Sequence, residues 1–361
     1  MHAYSRQMFQ SQPASLSIHP AQACPLAPVA SAIGNTPALY LRVRYDGEPL
    51  EILAKMEMYN LSGSIKDRMA LSILREAYRS GALAPGQPIA EATSGNAGIA
   101  MAALGSALGH PVTIFMPDWM SVERRRLIES YGATVRPVSR EEGGFLGAIA
   151  MAEECGETKG WFLPRQFCNQ ANCAAHCDNT IAELAAQADG LGGAALSGFV
   201  AGVGTGGTVM GAAQYFAQAA KVVPVHPMEP ASSPTLSTGH KVGQHRMQGI
   251  SDEFVPEIVK LEDLASIVQV DDGDAILMAQ RIARELGIGV GISSGGNILA
   301  AVKVGMAQRA ADPDAMPLIG TILCDNAMKY LSTALFETEP VEPCYLAPQI
   351  ELATAIVIAA R

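Results

Sequence analysis

The chain has 361 residues, 49% hydrophobic and 17% charged, enough to bury one large core or two modest ones. A formal net charge of -10 and the lack of any Lys/Arg run exclude a phosphate-backbone partner, so no nucleic acid is expected. The longest apolar stretch, 99–116, is broken by Ser106, His110 and Pro111 and reads as helix, turn and strand, so no membrane span is expected; without a positive segment leading into an apolar core at the N-terminus, the expected compartment is the cytoplasm.

In chain order, the first 30 residues and the last 25 are rich in Pro, Ala and polar residues and read as arms that pack on the body or on a second subunit. From residue 38 onward short apolar runs alternate with helical patterns, the signature of an α/β protein with mostly parallel sheets. Strands are predicted at 53–58, 88–92, 112–116, 134–138, 196–201, 222–226, 267–270, 290–293 and 317–324. No period of 20 to 50 residues recurs and no flexible linker separates the halves, which favours two interlocked domains.

The first chemical signal follows the first predicted strand. Residues 60–68 read Asn-Leu-Ser-Gly-Ser-Ile-Lys-Asp-Arg, and apolar residues at Ile65, Met69, Ile73 and Ala77 with Gly81 as the stop predict a helix. Lys66 falls in its first turn, where the unpaired N–H groups and the macrodipole disfavour an ammonium and expose a nucleophilic amine. A solvated surface lysine is the ordinary alternative. Next, Glu-Ala-Thr-Ser-Gly-Asn-Ala-Gly at 91–98 opens an alanine-rich helix, so the hydroxyls of Thr93 and Ser94, the Asn96 amide and free N–H groups can hold an anionic oxygen. Simple helix capping explains the same residues.

Cys168, Cys173, His176 and Cys177 lie close together but lack the paired knuckles of a zinc site, and seven cysteines in a long chain fit reduced thiols, so no metal is expected. Further on, Gly202-Val203-Gly204-Thr205-Gly206-Gly207-Thr208 lies between a strand and a helix, a setting in which backbone amides approach a phosphate closely. Gly202, Gly204 and Gly207, with Glu229 downstream, also satisfy a dinucleotide fingerprint, which keeps a nicotinamide oxidoreductase as a rival. That rival leaves Lys66 and the Thr93 loop without a role. Last, Gly-Ile-Ser-Ser-Gly-Gly-Asn at 291–297 places Ser293 where a hydroxyl meets a ring nitrogen or caps a helix.

Taken together, these sites resemble the β-replacement group of fold-type II pyridoxal-phosphate enzymes, nearest to cysteine synthase (O-acetylserine sulfhydrylase) and next to cystathionine β-synthase. The resemblance runs from Ile33-Gly34-Asn35-Thr36-Pro37 to Tyr330-Leu331-Ser332-Thr333. It includes the Met-Pro-x-x-Met-Ser-x-Glu-Arg-Arg run at 116–125, Gln-Phe-x-Asn-x-Ala-Asn at 166–172 and Gln248-Gly249-Ile250. It implies a tryptophan synthase β-like fold of two three-layer αβα domains, with a small mobile domain at 60–169 and a large one from 1–59 and 170–361. It also implies pyridoxal 5'-phosphate bound through Lys66, which then serves as the base at Cα. Asn96 would meet the cofactor's phenolic oxygen, Gly204, Thr205, Gly206, Gly207 and Thr208 its phosphate, and Ser293 its pyridine nitrogen. Thr93, Ser94, Asn96 and Gln166 would hold the substrate carboxylate.

The implied reaction passes through an α-aminoacrylate that a thiol, sulfide or other nucleophile attacks, most simply O-acetylserine and sulfide giving cysteine and acetate, in a homodimer. Some positions depart from the family pattern. Ala92 and Ala97 replace a proline and a threonine, Ser251-Asp252-Glu253 adds two acids after Gln248-Gly249-Ile250, and Cys324-Asp325-Asn326 replaces a Pro-Ser-Ser-type segment. A cystathionine, 2,3-diaminopropionate, O-ureidoserine or S-sulfocysteine synthase therefore stays open, as does a silent scaffold.

Overall fold

The structure, a computed structural model, describes residues 26–360; the greater part of the N-terminal arm thus lies outside the described residues. Among the described residues, ten strands form two sheets. In chain order they are β1 (Ala38–Tyr45), β2 (Glu48–Met56), β3 (Ile89–Ala92), β4 (Val112–Pro117), β5 (Thr134–Val138), β6 (Gly198–Gly202), β7 (Val225–Pro230), β8 (Val268–Val270), β9 (Leu318–Leu323) and β10 (Glu351–Ile358). The larger sheet has the order β10-β1-β2-β9-β6-β7-β8 and the smaller one β3-β4-β5. Every pairing is parallel except those of β1 with β2 and with β10.

Helices cover both faces of each sheet, as α/β chains require. Along β2 the side chains alternate. Ile52, Ala54 and Met56 join the core beneath helices Asp272–Leu286 and Ile292–Ala311, while Leu53 joins the opposite core with Leu184 and Val209. The small sheet packs helices Lys66–Ser80 and Asn96–Ala107 on one face and Gly144–Lys159 on the other. The fold is therefore α/β, built from two three-layer units. No helix among the described residues is long and apolar enough to cross a membrane.

The structure corrects four sequence expectations. Residues 290–293 are not a strand: Val290 makes a single bridge to Asn326 and the helix starts at Ile292. Four apolar or small residues are too few for periodicity to separate strand from helix. The strand predicted at 222–226 is displaced to Val225–Pro230 and runs through Pro227, a residue type uncommon inside strands. The first predicted strand ends at Met56, and Glu57–Tyr59 is a 3-10 turn. Strands β1 and β10 were not foreseen, and β10 turns the C-terminal arm into an edge strand on the body through its antiparallel register with β1.

Candidate active site

Lys66 is the first residue of helix Lys66–Ser80, whose predicted stripe Ile65, Met69, Ile73 and Ala77 is buried and whose stop, Gly81, is left-handed at φ 75°. Two acid clusters fix this turn. The Asp67 carboxylate accepts from the Ser62 N–H at 2.8 Å and the Ser62 hydroxyl at 2.5 Å. Arg68 donates through Nε to Glu57 Oε2 at 2.6 Å and through Nη1 and Nη2 to Glu183 at 2.7 Å. Lys55 completes the cluster at 2.8 Å from Glu183. Lys66 thus projects from a rigid turn into a cavity.

That cavity is lined by Lys66, Thr93, Ser94, Asn96, Gln166, Thr205, Thr208 and Ser293, among others. The structure therefore brings together residues drawn from four separate helix starts, with Gln166 from the loop before helix Gln170–Ala175. Thr205 and Thr208 of the glycine loop line it, and the neighbouring Gly204, Gly206 and Gly207 each exclude a side chain. A Cβ at Gly204 would lie 2.3 Å from Gly249 O, one at Gly206 2.2 Å from Val259 Cγ2, and one at Gly207 1.9 Å from Asn172 Oδ1. Gly206 also has φ +88°, a conformation that only glycine adopts readily. The loop delivers its backbone to the start of helix Gly207–Gln218, a favourable place for a phosphate. Asn172 holds the loop by donating to Thr205 Oγ1 at 2.9 Å. The pyridoxal phosphate group fits this donor set: an amine at one side, a narrow glycine cradle at the helix start, and the Ser293 hydroxyl in the same cavity.

Glu229 does not face a ribose. It is buried and accepts from the Leu236 and Ser237 N–H groups and from Gln269, so the acid of the dinucleotide fingerprint is spent inside the chain. Cys173, Cys177 and His176 are buried along a helix that passes through a π turn at His176–Ile181, whereas Cys168 is exposed.

Several residues to which sequence reasoning gave no role also surround the cavity. Asn96 Nδ2 donates to Asp325 Oδ2 at 2.6 Å, and Lys329 Nζ donates to Asn96 Oδ1 at 3.1 Å; an amide NH2 has two hydrogens, so one remains free for a ligand. Tyr330 OH donates to the same Asp325 oxygen at 2.8 Å. Burial pulls the Lys329 amine down to about 8 against the opposing pull of Asp325 and Asp67. Burial also lifts the Cys324 thiol to about 11 and the Asp252 carboxyl to about 6, the latter resisted by nearby Lys66. Asp252 lines both the inner cavity and the outer vestibule that contains Trp119, Arg140 and Lys241. Arg124 and Gln248 line the cavity too. For Arg124 a signal existed: Ser121, Arg124 and Ile128 are the buried positions of helix Val122–Ser130 and its cap, so this arginine occupies the apolar stripe.

An amine, a glycine loop and a hydroxyl converging between two mostly parallel sheets define an enzyme that works on pyridoxal phosphate. Residues 29–325 match the family described as pyridoxal-phosphate dependent enzyme, and the chain belongs to it; its cofactor is pyridoxal 5'-phosphate and its reaction type is that of the cysteine synthase-like β-replacement enzymes. The cysteine synthase of Staphylococcus aureus is 38% identical over 312 residues, covering 86% of this chain and 97% of that protein. A hydrogen sulfide-producing enzyme from Fusobacterium nucleatum is 46% identical with a TM-score of 0.87, over 92% of this chain and 98% of its own. The structure of an O-ureido-L-serine synthase is 34% identical with a TM-score of 0.77, over 88% and 96% of the two chains.

Proposed function

We propose that the chain catalyses β-replacement on an O-activated L-serine, with O-acetylserine as donor and sulfide as acceptor, releasing acetate and L-cysteine. The observation that carries this reading is the convergence of Lys66, the Thr93–Asn96 turn, Gln166, the 204–208 loop and Ser293 on one cavity. Bound through Lys66, pyridoxal phosphate supplies the sink for the electron pair left at Cα. The Lys66 amine would take the Cα proton as general base. Gly204, Thr205, Gly206, Gly207 and Thr208 would hold the phosphate, Asn96 would give its free amide hydrogen to the phenolic oxygen, and Ser293 would meet the pyridine nitrogen. Because a hydroxyl in place of a carboxylate there does not enforce ring protonation, departure of the β-substituent is favoured over transamination. Thr93, Ser94, Asn96 and Gln166 receive the substrate.

Asp252 sits where the second substrate enters and takes a proton from it. Segment 60–169 closes on the rest of the chain, shutting out water, and the cross-contacts Ser121 to Lys329 O at 3.0 Å and Ser332 to Glu123 at 2.8 Å fit that closure. The assembly in this reading is a homodimer. The exposed apolar residues Ile356 and Val357 on β10 are consistent with a covered surface.

The presence of Asp252 at the mouth favours one second reading, in which another acceptor or donor replaces sulfide or O-acetylserine at the same centre. The test is the visible spectrum of the purified protein while O-acetylserine, O-phosphoserine and serine are added in turn without a nucleophile, followed by sulfide and identification of the product. A spectral change with O-acetylserine that sulfide reverses with formation of cysteine supports the first reading. A change with another donor only selects the second, and a protein that takes up no pyridoxal phosphate refutes both.

A further inference from the structure

Among the described residues, the non-glycine positions with a positive φ are Asn35, Asp46, Arg165, Ala220 and Ser251. Of these only Ser251 is buried. Its φ of 52° brings Cβ close to the following carbonyl oxygen, a cost that persists only where the surroundings over-determine the conformation. Ser251 directly precedes Asp252, the acid that lines both the Lys66 cavity and the outer vestibule.

Every polar atom of Ser251 is engaged. Its N–H donates to Val203 O at 2.8 Å, inside the glycine loop. Its hydroxyl donates to Ser233 O at 2.7 Å and lies 2.9 Å from the Thr235 hydroxyl, which reaches Asp252 O at 3.3 Å. Its carbonyl accepts from His245 Nε2 at 3.0 Å. Ser233 and Thr235 are themselves buried, so the anchor is a rigid one. The segment is also seated on the glycine loop, because Gly249 O occupies space that a Cβ at Gly204 would approach to 2.3 Å. The Asp252 carboxylate, by contrast, makes no hydrogen bond to any described residue. Its direction is therefore set through the backbone that Ser251 holds.

We propose that Ser251 is a positioning residue, whose anchored hydroxyl holds a left-handed turn that aims the Asp252 carboxylate at the incoming nucleophile. This assignment rests on the function proposed above and names the device that places its proton acceptor. The experiment follows the holoenzyme in stopped flow, first with O-acetylserine, recording the change in cofactor absorption, and then with sulfide, recording its reversal. Ser251→Ala removes the anchor but keeps the Cβ that disfavours the turn. The sulfide step slows about tenfold, as for a misplaced reacting group, while pyridoxal phosphate affinity and the O-acetylserine step stay within about twofold. Ser251→Gly, which also lacks the hydroxyl but adopts the turn without strain, slows the sulfide step about threefold.

A double-mutant cycle separates positioning from mere structure. In the Asp252→Asn background, Ser251→Ala brings no further slowing of the sulfide step, because nothing is left to aim. Equal slowing in both backgrounds overturns the assignment, and so does a loss spread over cofactor affinity and both steps, or an unchanged sulfide step. If Ser251→Ala does not fold, Ser251→Gly carries the same cycle. Failure of the underlying reading is distinguishable: a wild-type holoenzyme whose absorption does not respond to O-acetylserine overturns the function and the assignment together, whereas a normal first step with additive variants overturns the assignment alone.

Discussion

Replacing Arg68 tests how the turn that carries Lys66 is held. The Arg68 guanidinium makes contacts of 2.6 to 2.9 Å with Glu57, which is fully buried, and of 2.7 Å with Glu183. Arg68→Ala leaves Glu57 buried with only Thr36 and Asn60 as donors, and breaking a buried pair in this way costs about 3 to 5 kcal/mol. Glu183 adds a smaller contribution from the same cluster. Arg68 and Lys55 together overcome burial to hold its carboxyl at about 2 instead of 4.5, which sets an upper bound of about 3 kcal/mol at neutral pH, shared between the two cations and reduced by solvent screening. Because the folded value lies below the unfolded one, that stability is present above pH ~4.5 and is lost as pH falls toward ~2.

Urea denaturation of the wild type and of Arg68→Ala at pH 7 measures the difference, and cofactor absorption reports whether Lys66 keeps its place. Arg68→Lys retains a charge without the fork and falls between the two. A loss below about 1 kcal/mol for Arg68→Ala, in the range of exposed ion pairs, refutes the reasoning.

Three further outcomes are expected. Gly207→Ala places a Cβ 1.9 Å from Asn172 Oδ1, so at the ~1 to 3 kcal/mol typical of overpacking cofactor affinity measured by equilibrium dialysis falls at least about fivefold, and unchanged affinity contradicts the glycine cradle. With Asp252 raised to about 6, its base form gains population as pH rises through 6; the nucleophile step accelerates over that range, and Asp252→Asn both removes the rise and slows the step about a hundredfold in stopped-flow traces. Glu91 is lifted by burial from 4.5 to about 8, so the unfolded chain releases its proton first and stability declines between pH ~4.5 and ~8; Glu91→Gln flattens that part of the urea-midpoint profile, and an unaltered slope shows that another group governs it.

The helix starts that carry the site were legible because each is local. Lys66, Asn96, Gly207 and Ser293 each lie within the first turn of a helix, and short apolar runs followed by Gly, Ser and Asn encode such turns within a few residues. What links the helix starts is not local. Asn96 meets Asp325 and Lys329 across more than 200 positions, and Arg124 meets Gln248 across 124; no periodicity in one segment reports a partner in another. The β10 pairing was hidden for a related reason, since its mostly exposed positions lack the alternation that marks a half-buried strand.

Parallel topology explains why local turns nonetheless assemble a site. In β2, β6 and β9, which run parallel in one sheet, the C-terminal ends point the same way, and the chain leaves them at the 60–66 turn, the glycine loop and Cys324. Loops that follow strands of parallel sheets gather at one end of each sheet, where ligands bind. The small sheet delivers the Thr93 turn from the end of β3 to the same cavity. A residue needed at the reacting centre can therefore be specified by its place just after a strand, while its charge partners come from whichever segments the topology brings beside it. Asp325 and Lys329, which follow β9 and engage Asn96, which follows β3, are that second kind of residue. Their identity shapes the electrostatics of the site without altering the local signals that locate it.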